Sequence, residues 1–137
     1  MTVRNSRGGA PQFGADTDVR HLPTRHLVVA GLNWFVDWEE RPHLDYTQPF
    51  RLRAERGNPH DKHAVGVWVG EDQLGYLYSG DAERFGALLR RHQKNIIVTG
   101  GLQNDERRIW LKGPRYKALE TFLETEALER KQRYLAQ

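Results

Sequence analysis

Residues 58–78 read NPHDKHAVGVWVGEDQLGYLY, and the alternation in this stretch decides the fold. Gly57, Asn58 and Pro59 break regular structure, so a turn spans 56–62. AVGVWV (64–69) is β-branched and apolar, and QLGYLY (73–78) has the same character beyond Gly70-Glu71-Asp72. Two such runs joined by a short glycine-containing loop predict a β-hairpin. Upstream, Phe50, Leu52 and Ala54 of FRLRAE (50–55) share one face and Arg51, Arg53 and Glu55 the other, the period of a half-buried strand. LVVAGLNWF (27–35) reads as a buried strand, and the acidic stretch 36–48, interrupted by Pro42, as a loop.

Downstream of the hairpin, Ser79 or Asp81 is placed to cap a helix starting near Gly80, with Ala82, Phe85, Leu88 and Leu89 as its apolar stripe. NIIVTGGL (95–102) and RRIWLK (107–112) surround Gln103-Asn104-Asp105-Glu106 and predict a second hairpin. Past Pro114, Tyr116, Leu119, Phe122, Leu123 and Ala127 recur at helical spacing, and the charged end LERKQRYLAQ is expected to fray or dock on a partner. The sum is a mainly β fold with α additions. It is a small six-stranded barrel with one inserted helix and a C-terminal helix. The organisation reads as a flexible N-terminal arm over 1–25, the barrel over 26–114 and the C-terminal helix over 115–137.

Composition bounds the function. A chain of 137 residues suits one domain, and 14 aromatics supply its core although 28% of residues are charged. No apolar run approaches the roughly 20 residues of a membrane span. The absence of cysteine excludes disulfides and thiolate metal sites and suits the cytoplasm. The net charge of +3 lies in the tails: residues 1–26 carry +2, residues 115–137 carry +1, and 27–114 hold 12 basic and 12 acidic residues. Non-specific duplex binding, which needs many neutralised phosphates, is therefore poorly supported. A nucleic-acid contact here is expected to be local.

Gly31-Leu32-Asn33-Trp34-Phe35, the turn Asn58-Pro59-His60-Asp61-Lys62-His63-Ala64-Val65 and the strand Leu74-Gly75-Tyr76-Leu77, in that order and followed by a helix, resemble a HIRAN domain. The resemblance spans roughly 27–112. It implies an OB-like barrel that grips the 3′ end of single-stranded DNA. On that likeness Asp61 accepts a hydrogen bond from the terminal 3′-hydroxyl, Asn58 and His60 line the end pocket, and Trp34 stacks on a base. Asn33 and Ser79 stand at positions that contact phosphate and often carry a cation in DNA-binding members, and His60 replaces a tyrosine. Two missing cations lower the expected affinity more than they affect end recognition.

The chemistry of the residues points the same way. An ionised carboxylate only accepts hydrogen bonds, so Asp61 suits a hydroxyl donor and repels the phosphate that a mid-strand nucleotide presents there. Trp34, Trp110 and Tyr76 offer faces for stacking, worth about 1–3 kcal/mol per base. Arg51, Arg53 and Lys62 lie on or beside the outward face of one strand and could follow the backbone phosphates. No catalytic set, metal or cofactor is expected.

Plainer readings compete. An Asn-Pro-x-Asp turn commonly serves only its own backbone. Trp68 is expected to be the most buried tryptophan, and Arg90-Arg91-His92-Lys94 to serve the C-terminal end of a helix dipole. Loss of the two cations suits instead a protein-interaction module whose acidic loop and basic terminal helix hold a helicase or nuclease partner. His60, Asp61 and His63, with Glu55 as a second carboxylate, sketch a metal-dependent nuclease, but in an extended strand His60 and His63 point to opposite faces. The leading expectation is a non-enzymatic module for single-stranded DNA ends in repair, replication or phage and bacterial DNA processing.

Overall fold

The computed structural model describes residues 16–31, 49–55, 57, 62–103 and 108–137. In chain order the elements are β1 (Asp16–Asp18), β2 (Thr24–Ala30), β3 (Phe50–Ala54), β4 (Val65–Val69), β5 (Asp72–Leu77), α1 (Ser79–His92), β6 (Asn95–Gln103), β7 (Arg108–Pro114) and α2 (Tyr116–Leu135). Six strands pair antiparallel in the order β6-β3-β4-β5-β2-β7, and β6 pairs with β7 to close the barrel. β1 adds to β6 in parallel as a seventh strand outside the closed ring. Residues 32–35 of the expected first strand and the loop 36–48 lie outside the described residues.

The alternation forms the barrel for the expected reason. Phe50, Leu52 and Ala54 of β3 and Val65 and Val67 of β4 are at most 1% exposed and meet Leu27, Ile96, Val98 and Leu111 in one apolar cluster. The α1 stripe of Ala82, Phe85, Leu88 and Leu89 closes on the same cluster. Leu119 and Leu123 of α2 bury beside it, and Phe85 meets Tyr116 edge to face at 6.0 Å. The Arg115 N–H donates to the Pro23 carbonyl at 2.8 Å, tying the start of α2 to the approach of β2. Among the described residues no helix is long and apolar enough to cross a membrane.

Several local expectations are corrected. The β4–β5 loop has two residues, because Val69 pairs with Asp72, and Gly70 takes the positive φ of +58° that such a tight turn needs. Neither Ser79 nor Asp81 caps α1. Tyr78 occupies the cap position with no side-chain bond, and Asp81 instead pairs with Arg25 at 3.0 Å. The arm expected over 1–25 is not uniformly a tail, since β1 lies inside it with Thr17 and Val19 buried. Asp16 is fastened there by Arg51, at 2.9–3.1 Å, and by the Asn95 side-chain amide at 3.2 Å.

Two glycines mark close seams. A Cβ at Gly113 would press directly on the Leu27 side chain, 3.0 Å from its Cγ, and Leu27 has no exposed surface into which to move. Gly113→Ala is expected to cost about 1–3 kcal/mol through overpacking. A lower denaturant midpoint at unchanged slope in equilibrium unfolding checks this. β2 and β5 meet through Val29↔Leu77 and Ala30↔Tyr76, where a Cβ at Gly75 would stand 2.5 Å from the Ala30 carbonyl oxygen, a backbone atom that cannot rotate away. Gly75→Ala is expected to open this seam. The Tyr78 N–H, which donates to the Val28 carbonyl at 3.1 Å, should then exchange with solvent at least about tenfold faster, a change of about 1.4 kcal/mol in local opening.

Candidate nucleic-acid interface

Strand register brings the described ends of the three segments of the HIRAN resemblance to one rim of the barrel. β3 ends where β4 begins, with Ala54 opposite Val65. Gly66, the next residue of β4, lies opposite Tyr76 near the end of β5, and Tyr76 lies opposite Ala30 at the end of β2. From this rim the chain leaves β2 through Gly31, whose φ is +83°, leaves β3 through Glu55, and leaves β5 through Tyr78 into α1. Trp34, Asn33, Asn58, His60 and Asp61 lie outside the described residues; the strands that carry the chain into and out of them share this rim.

Among the described candidates, Lys62 and Ser79 are exposed and Tyr76 is half-buried at the same rim. The Tyr76 hydroxyl donates to Glu55 Oε2 at 3.4 Å, and Gln73 Nε2 donates to Glu55 Oε1 at 3.4 Å and to the Gly75 carbonyl at 3.3 Å. Glu55 is 8% exposed, so its carboxylate serves an internal network rather than an open metal site.

Arg51 and Arg53 do not join the rim as free cations. Arg51 lies opposite Trp68, toward the hairpin end of β4, and its guanidinium is committed to Asp16 and to the Gly70 carbonyl at 3.1 Å. Arg53 is 8% exposed and lies 4.3 Å over the Trp68 ring. Burial, reinforced by the neighbouring Arg51 charge, lowers its pKa. Trp68 is itself buried at 3% exposure, while Trp110 is half-buried. A Cβ at Gly66 would stand 2.6 Å from the Trp68 Nε1, so the bare glycine is what admits the indole.

The structure adds residues that the alternation did not single out. Beyond the rim a groove of about 480 Å³ runs between β2 and the start of α1, lined by Arg25, Val28, Tyr78, Gly80, Asp81 and Arg84. Tyr78 is 59% and Val28 48% exposed, so an aromatic and an aliphatic surface stand open together. Arg25 is paired with Asp81, and Arg84 lies 4.4 Å over the Tyr116 ring. The available signal was slight: Tyr78 follows Leu77, the last buried residue of β5, and so faces outward.

The HIRAN domain family model matches residues 27–123, most of the chain, and so reaches past the barrel into α2. A crystal structure of a protein from Lactobacillus plantarum superposes with a TM-score of 0.56 at 19% identity, over 65% of this chain and 89% of that one. The crystal structure of the HIRAN domain of human HLTF superposes with a TM-score of 0.52 at 17% identity, over 74% of this chain and 87% of that one. No curated protein matches the chain. Both structural likenesses, at under 20% identity, concern the fold alone. With the family model covering the three motif segments and the rim that carries them, this chain belongs to the HIRAN domain family.

Proposed function

We propose that this chain is a binding module for the 3′-hydroxyl end of single-stranded DNA. HIRAN domains are a family of DNA-binding modules, and the observation that carries the reading here is the shared rim. The segments bearing Trp34, the Asn58–Asp61 turn and Tyr76-Leu77-Tyr78 all leave the barrel where β2, β3 and β5 end and β4 begins. In this reading Asp61 accepts the terminal hydroxyl, Asn58 and His60 bound the pocket, and Trp34 stacks on a base. Lys62 meets a phosphate from the exposed edge of the turn. The groove beside Tyr78 takes the nucleotides that follow, with Tyr78 as a stacking face and Arg25 and Arg84 near the backbone. Binding is tolerant of sequence and selective for an end, which suits DNA repair, replication or phage and bacterial DNA processing alongside a helicase or nuclease partner in the cytoplasm.

Anisotropy titrations with a short strand ending in a 3′-hydroxyl, and with the same strand blocked by a 3′-phosphate, test this. The open end is expected to bind at least about tenfold tighter, a difference of about 1.4 kcal/mol. Asp61→Ala should erase the preference by weakening the hydroxyl end selectively; equal affinity of wild-type protein for both ends sinks the reading. Lys62→Ala is expected to weaken both strands alike and to reduce the slope of log affinity against log salt by about one phosphate contact. A second reading, a protein-interaction module, is favoured by the exposed Leu128, Tyr134 and Leu135 on α2. Absence of DNA binding at low salt would leave that reading standing.

A further inference from the structure

α2 is longer than the body it packs on. Its first half buries Leu119 and Leu123 beside the barrel core, but from Leu128 onward every residue is exposed. Of the five large hydrophobic residues that stand exposed among the described residues, three (Leu128, Tyr134 and Leu135) lie in this projecting end. A short length of helix without tertiary support is marginal in water, so a surface that covers this end would stabilise it. At about 100° per residue, Glu124, Leu128, Lys131 and Leu135 fall within an arc of about 60°, on the side of α2 away from the fully buried Leu119. Leu128 is thus bracketed, one turn to either side, by a carboxylate and an ammonium. Glu124 also meets Arg91 at 3.2 Å, but both side chains are more than half exposed and the contact is easily shared.

This face is complementary to itself. When two such helices lie antiparallel across a two-fold axis beside Leu128, Glu124 of each copy meets Lys131 of the other, and the two Leu128 side chains meet at the axis. A parallel pair would instead set carboxylate against carboxylate and ammonium against ammonium. We infer that the projecting end of α2 is a self-association surface, on which a second copy of this chain docks as an antiparallel helix pair through Leu128 and Leu135. One helix against one helix is smaller than a standard interface, so the dimer is weak and concentration-dependent. It uses neither the barrel rim nor DNA, and so does not depend on the DNA-binding reading.

Sedimentation equilibrium of the full chain from about 1 μM to about 1 mM tests this. Wild type is expected to pass from monomer to dimer within that range. Leu128→Asp, Glu124→Lys and Lys131→Glu should each weaken the dimer at least about tenfold. All three positions are exposed, so the fold is left intact. Glu124→Lys combined with Lys131→Glu in one chain rebuilds both cross-pairs and should return the dissociation constant to within about threefold of wild type. Orientation is read separately by oxidative cross-linking, which is clean because the chain has no cysteine. Leu128→Cys should give a disulfide-linked dimer. Leu135→Cys should not, because antiparallel pairing about Leu128 holds the two 135 positions about 20 Å apart. A wild-type chain that stays monomeric throughout overturns the inference. So does a dimer that all three single variants leave unchanged, since another surface then makes it. Cross-linking at both 128 and 135, or a combined variant no tighter than the single ones, overturns the antiparallel pairing and the inference with it.

Discussion

Closure of this barrel depends on β6, which serves three neighbours within nine residues. Its first half is flanked by β1 at Asn95–Ile97 and by β3 at Ile96–Val98, and its second half pairs with β7 from Thr99 to Gln103. A strand that changes partners has to bend, and Gly100 stands at the change. A Cβ there would lie 2.7 Å from both Leu111 Cδ2 and Phe50 Cδ1, so a larger residue would push β7 away from β3 at the point where the ring must close. With the ring closed, the ends of β2, β3 and β5 are held in register, and the described ends of the motif segments share a rim.

Much of this was legible. The hairpin of β4 and β5, the half-buried β3, the apolar stripe of α1 and the terminal helix all follow from periods of two and 3.6, because one face of each element is buried and the other is not. The misses have physical causes. β1 is three residues, Asp-Thr-Asp, too short for a period, and its partner is parallel and far along the chain. Arg53 sits at an outward position of β3, but the outward face there is covered, so alternation gave its direction and not its exposure. The candidate site was legible only as motif segments, while the rim where their described ends meet required strand register.

The distribution of charge has a structural counterpart. Arg20 holds Asp18 through its backbone N–H and its guanidinium, and those bonds lower the Asp18 pKa to about 2. Arg51 with Asp16, Arg25 with Asp81 and Arg91 with Glu124 are likewise matched. Cations spent on carboxylates project little long-range field. That agrees with the zero net charge of residues 27–114.

The parallel addition of β1 also bears on how crowded copies of this chain behave. Where β7 does not extend along β6, the backbone N–H and C=O groups of β6 would form an open template for a strand from another molecule. β1 occupies that template at Asn95–Ile97 with a strand only three residues long, whose first and last side chains are carboxylates. An incoming strand therefore meets a border only three residues long, whose two carboxylates are already paired with Arg51 and Arg20. The same few residues that complete the sheet guard the molecule against edge-to-edge aggregation.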